Sequence, residues 1–272
     1  MNHRTPRIRL TPSHAAVALA LTVSPLAQAA QVQVTVNVEN LAPATSVTVA
    51  PLQVGFHSGV YDAFDIGAVA SPEIQLVAET GSGALWSPAF TAADPTAVVG
   101  TVLPGPLTPG ATASTTFLVD TTQNPFFSFA AMVVPSNDFF IGNDNPTAYR
   151  LFDGAGNLQI SSITLQSRDI WDAGTEVFDP ASAAFVLVGN AALHTDQNSV
   201  VATNFGEFFA YNGLATAAGY TFDAQLGANT DIYRISFDVT PVPEPETYAM
   251  MLAGLGILGL AARRRGRGQR IG

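Results

Sequence analysis

The chain of 272 residues contains no cysteine and no lysine. Without cysteine there is no disulfide framework, no thiolate zinc or iron–sulfur centre and no thiol nucleophile. Charge of either sign is sparse, at 12% of residues, and all 11 basic residues are arginines set against 21 acids. A formal charge of −10 lacks the basic face that nucleic-acid binding requires, so a nucleic-acid partner is excluded. Histidine is scarce too: of four, only His57 and His194 lie away from the N-terminus. Two are too few for a histidine-based zinc centre, and no Gly-x-Ser-x-Gly elbow accompanies them. What the chain does have is apolar content, at 47%, which is incompatible with global disorder.

The charge is unevenly distributed. Arg4, Arg7 and Arg9 precede an apolar run from Ala15 to Val23, broken only by Thr22, and then Ala27-Gln28-Ala29. That order is a secretory signal peptide over residues 1–29, with Ala27 and Ala29 as the cleavage signal. At the other end, Val242-Pro243-Glu244-Pro245-Glu246 is stiff and extended, because proline fixes its own φ and restricts the residue before it. Thr247 to Ala262 is apolar, with Gly254, Gly256 and Gly259, and Arg263, Arg264, Arg265, Arg267 and Arg270 follow. A 16-residue apolar segment is short for a span of about 20, but flanking arginines can snorkel to the headgroups. The arginine cluster places its own end in the cytoplasm and the body outside. Between the two ends, only Arg150, Arg168 and Arg234 face 19 acids, a charge of −16.

Pro243-Glu244-Pro245, an apolar helix and an arginine cluster, over residues 241–270, resemble the PEP-CTERM sorting signal of bacteria that make extracellular polysaccharide. The resemblance implies handling by an exosortase, transient anchoring in the inner membrane and release to the cell surface or the biofilm outside. The alternative is a permanent single-pass anchor.

Residues 30–240 read as one domain. Gln31 to Glu39 alternates valine with polar residues, the period of a half-buried strand. Further strands are expected near 46–56, 73–79, 97–103, 113–119, 127–134, 158–165, 183–188 and 231–239, from β-branched and aromatic runs bounded by Pro, Gly, Asn and Asp. No long helical period with caps stands between them. The expectation is an all-β fold, an antiparallel β-sandwich, with long loops at 57–72, 136–156 and 189–230. The signal peptide and a single C-terminal hydrophobic helix flank it.

Two polar clusters follow strands. One is Pro135-Ser136-Asn137-Asp138-Phe139, the other Trp171-Asp172-Ala173-Gly174-Thr175-Glu176. Gly174 permits a tight turn that lets Asp172 and Glu176 face one point. Clustered acids without Lys or Arg are either solvated or neutralised by a cation, and Ca²⁺ suits such oxygen ligands. The same residues, with Asn40-Leu41, His57, Ala70-Ser71 and Ala78-Glu79, resemble the N-terminal domain of spondins. That resemblance implies a C2-like sandwich with Ca²⁺ held by Asp138, Asp172 and Glu176, and a structural role for His57. The sequence departs from it at Phe139, where animal members carry Trp, and at 184–189, which lacks a His-rich stretch. A secreted or surface calcium-binding adhesion or matrix module, with polysaccharide or a surface protein as partner, is therefore expected rather than an enzyme. The alternatives are a hydrolase of extracellular polysaccharide, since two carboxylates suffice for one, and a ligand-free structural protein. Phe139 and Trp171 flank the acid loops; in a sandwich, aromatics are mostly core, but if exposed these two would form a contact rim.

Overall fold

The computed structural model describes residues 31–103, 105–242 and 252–259. In chain order it contains β1 (Gln31–Asn40), β2 (Thr48–Val49), β3 (Leu52–His57), α1 (Pro72–Thr80), α2 (Trp86–Ala93), β4 (Val98–Val102), β5 (Thr112–Asp120), β6 (Phe126–Val134), β7 (Phe139–Gly142), β8 (Ser162–Gln166), β9 (Ile170–Asp172), β10 (Ala202–Thr203) and β11 (Asp231–Pro241). Short 3₁₀ turns occupy Ser167–Asp169 and Phe205–Tyr211. A brief helix covers 252–259. Among the described residues no helix is long and apolar enough to cross a membrane. The cleavage residues Ala27 and Ala29 and the motif Pro243-Glu244-Pro245 lie outside the described residues.

The valine alternation of β1 buries Val32, Val34, Val36 and Val38 and leaves Gln31 and Gln33 in solvent, as side chains alternating across a strand must. This strand is interior to a four-stranded sheet ordered β5-β1-β11-β8. The second sheet runs β10-β9-β7-β6-β3-β4, with β2 added beside β6. All the strand pairs are antiparallel. The inward faces share one core: Val34 and Val36 from β1 and Ile235 from β11 join Phe56, Phe127 and Phe129. Phe127 and Phe237 meet across the layers with ring centres 4.9 Å apart and planes at 80°. Each fully buried phenyl contributes about 1.5–3 kcal/mol by leaving water.

The fold is mainly β but not all-β. Residues 73–79, expected as a strand, belong to helix α1. Ser71 caps it, accepting a hydrogen bond from Ile74 N at 3.3 Å; Pro72 occupies the first turn, and Gly81 ends it at φ 70°. These are the residue types that start and stop helices. The apolar positions Ile74, Val77 and Ala78 fall on one buried face. In α2, Trp86 and Phe90 are one turn apart and both buried. The two helices cover the outer face of the larger sheet in a second apolar cluster with Tyr61, Phe64, Ala130 and Phe140. Phe90 lies so close to β3 that a Cβ on Gly55 would sit 2.5 Å from its ring.

The strand expected over 183–188 is also absent. That stretch makes only single bridges, Ser136 to Ala184 and Val186 to Thr216, and Phe185 has φ 74°. One left-handed residue interrupts an extended run. Conversely β7, β9 and β10 have four, three and two residues, too short for a period of two to register.

Candidate functional site

The end of the larger sheet brings the two acid loops together. β6 turns back through Pro135-Ser136-Asn137-Asp138 into β7, and β7 pairs with β9 so that Phe139 lies opposite Asp172. Asp138 and Asp172 therefore end neighbouring strands. The main chain adds a link, Ala173 N donating to Asp138 O at 3.2 Å. Three donors converge on one oxygen of Asp138: Thr175 N at 2.7 Å, Glu176 N at 3.0 Å and Thr175 Oγ1 at 3.1 Å, all to Oδ2. Asp172 Oδ1 accepts from Gly174 N at 2.8 Å, and Oδ2 from Asn204 Nδ2 at 3.5 Å. The turn at Gly174 has φ 68°, and a Cβ there would lie 2.8 Å from the carbonyl oxygen of Val200. Glycine is thus required both by the backbone angle and by the space.

Both carboxylates are buried, at 5% exposure for Asp138 and 7% for Asp172. Burial and the neighbouring Asp172 push Asp138 up to about 6, against the pull of its three hydrogen bonds. Burial also raises Asp172, and burial together with Asp172 raises Glu207. Asn204 Nδ2 spans the last two acids, donating to both Asp172 Oδ2 and Glu207 Oε1. Among the described residues the ion pairs involve only His194 and Arg234 as cations, so Asp138 and Asp172 face each other without a cationic partner.

The third expected residue points elsewhere. Glu176 is 6% exposed; its Oε1 accepts from Asn137 Nδ2 at 3.1 Å, and its Oε2 lies 3.5 Å from His194 Nδ1. Glu79 Oε2, on α1, lies 3.8 Å from the same nitrogen. Glu79, Glu176 and His194 form the one group of three among the described residues whose ligand atoms all lie within 4.8 Å of one another, a cluster with the make-up of a metal site. Asn137 ties it to the core by accepting from Tyr211 OH at 3.0 Å and donating to Ser182 Oγ at 2.7 Å. Asp138 and Asp172 thus come together, while Glu176 joins two residues outside the metal set that the sequence suggests. Glu79 lies in a stretch whose apolar spacing also suits a strand, and His194, Asn204 and Glu207 lie in long segments without a readable period.

Phe139 and Trp171 do not form an exposed rim beside the acids. Phe139 is 2% exposed, and Trp171 is half-buried with Nε1 donating to Gly142 O at 3.1 Å.

The Spondin_N family model matches residues 42–178, half of the chain. The chain belongs to the Spondin_N family. The matched part of the spondin domain holds Asp138, Asp172 and Glu176, while β1 and β11, central to the smaller sheet, lie outside it. The PEP-CTERM protein-sorting motif matches residues 241–265. That motif marks the chain for export, exosortase processing and the cell surface. A search of curated proteins finds no match.

Proposed function

We propose that this spondin domain is a non-enzymatic adhesion or matrix module of the cell surface, with edge loops ordered by Ca²⁺ at Asp138 and Asp172. The observation that carries it is the buried acid pair without a cationic partner. Its donors are all oxygens, which fits a hard cation that takes 6–8 oxygen ligands in flexible geometry. The ion would supply the positive charge that two buried carboxylates need. Glu207, next to Asp172, adds a third carboxylate to that neighbourhood. Glu176, the remaining residue of the expected set, serves the loop through its main-chain N–H to Asp138.

A polysaccharide hydrolase needs two carboxylates flanking an open groove. Asp138 and Asp172 are instead buried and held in tight turns, which supports the binding module. The test is thermal melting of residues 30–241 in millimolar Ca²⁺ and in chelator. Ca²⁺ binding the native state alone at about 100 times its Kd adds about 2.7 kcal/mol. An unchanged melting temperature sinks the calcium reading. Retention of the protein on native extracellular polysaccharide, lost in chelator, tests the adhesion reading separately.

A further inference from the structure

We infer that Glu79, Glu176 and His194 form a second metal site, one that takes Zn²⁺ rather than Ca²⁺ and pins α1 to the loops after β9. It does not rest on the calcium reading, because neither Asp138 nor Asp172 takes part.

The case lies in how each side chain is held. Each offers one polar atom to the centre and has its other one occupied. Glu79 Oε1 accepts from Gln75 Nε2 at 2.9 Å, one turn earlier on α1, leaving Oε2 to face the centre. Glu176 Oε1 accepts from Asn137 Nδ2, leaving Oε2. His194 Nε2 lies 2.7 Å from Asp196 Oδ1. A carboxylate only accepts, so Nε2 carries the proton and Nδ1 faces the two glutamates. A ligating histidine is oriented by a carboxylate on its far nitrogen in just this way.

The spacing agrees. Bonds of about 2.0–2.1 Å in a tetrahedral shell put neighbouring ligand atoms about 3.4 Å apart; here Nδ1 is 3.5 Å from Glu176 Oε2 and 3.8 Å from Glu79 Oε2. Both separations are longer than a normal hydrogen bond, so a protonated His194 meets these carboxylates only as a loose ion pair, whereas a bound ion would engage all three atoms. The three atoms open onto a cavity of about 200 Å³ that Asn137, Ser182 and Thr80 also line, enough room for an ion and a water. Imidazole nitrogen with carboxylates suits zinc, whereas calcium takes oxygen. Three protein ligands leave the fourth position to water.

The experiment uses the full chain, stripped of metal and held in detergent, titrated with ZnCl₂ against a chromophoric chelator in the presence of millimolar Ca²⁺. One equivalent of Zn²⁺ binds. His194→Ala and Glu79→Gln each weaken it by at least tenfold, and Asp196→Asn by about tenfold or more through loss of the orienting carboxylate. Zinc-edge absorption then shows one imidazole and oxygen ligands. Asp172→Asn keeps the zinc affinity, which separates failure here from failure of the calcium reading. If Ca²⁺ displaces the zinc, if none binds with a Kd below about 0.1 mM (about −5.5 kcal/mol), or if His194→Ala binds as tightly as the parent, the site does not exist. Should His194→Ala not fold, His194→Gln and the absorption spectrum of the parent decide in its place.

Discussion

Two buried polar clusters sit on the larger sheet, and they are built on opposite principles. Around His57, both ring nitrogens and their immediate partners are matched. Gly59 N donates to Nδ1 at 3.0 Å, so the ring proton is on Nε2, which donates to Ser128 Oγ at 2.9 Å. Asn143 donates to the same oxygen at 2.9 Å and to Asn145 O at 3.0 Å, and accepts from Phe129 N at 3.0 Å. Burial holds His57 down at about 4, against the opposing pull of Asp94, so it is neutral. Asp94 itself is buried, which opposes its charge, yet hydrogen bonds from Ser58 and Thr96 outweigh this and hold it at about 2. Around Asp138 and Asp172 the close hydrogen bonds go to Asp138 Oδ2 and Asp172 Oδ1, Asp172 Oδ2 has only Asn204 at 3.5 Å, and negative charge is left over. The first network is finished by the chain alone. On the calcium reading proposed above, the second is completed by a cation, and that would separate a structural polar cluster from a binding one.

The contrast can be broken most forcefully at His57. His57→Ala removes two buried hydrogen bonds and the edge-on contact with Phe90, and should cost about 3 kcal/mol. Denaturant unfolding should give the same loss in Ca²⁺ and in chelator; a loss that depends on Ca²⁺ would mean the two clusters are not separate. Asp138→Asn should do the reverse in chelator near pH 7.5. Its ionised form is disfavoured in the fold, so neutralising it should stabilise by about 1–3 kcal/mol, while abolishing any response to Ca²⁺. Destabilisation in chelator would show the pair to be content as it stands.

Acid titration sharpens the same comparison. Asp138 has its folded value raised to about 6 from 3.8, so the folded state takes up its proton first and stability rises as pH falls through that window. His57 is lowered to about 4 from 6.5, so the unfolded state takes up its proton first and stability falls over nearly the same window. In chelator the two slopes oppose each other. Asp138→Asn removes only the gain, so its stability should drop between pH 6 and 4 more steeply than the parent's, by up to about 1.4 kcal/mol per pH unit. Parallel curves would contradict the assignment. The smallest effect is expected at the exposed pair Arg234–Glu39, 3.0 Å apart on the other sheet. Arg234→Ala should cost less than about 1 kcal/mol and be indifferent to metal.

Much of this arrangement was legible in the sequence, because its signals are local. The valine alternation gives β1, the apolar runs give β3 to β6 and β11, and the position of His57 at a strand exit suggests its structural role. Gly174 marks the turn that follows Asp172, whose strand β9 lies beside the start of β7 next to Asp138. What was not legible depends on contacts distant in sequence. Residues 73–79 carry apolar spacing that either a strand or a short helix could use, and the caps at Ser71 and Gly81 decide for the helix only when read as caps. Read as a strand, residues 73–79 give Glu79 no reason to meet Glu176 and His194. The turn at Gly174 joins the backbones of Asp172 and Glu176 but sends their carboxylates to different partners, Asn204 and Asn137. Spacing alone does not fix that choice.

The most direct test of the central claim is amide hydrogen exchange on residues 30–241, with Ca²⁺ and with chelator. Protection should rise with Ca²⁺ at 136–142 and 172–178, the segments that carry Asp138 and Asp172, and stay unchanged at 57–59, 128 and 143, around His57. Equal protection in both conditions at the acid loops, or a change that includes the His57 cluster, would contradict the account.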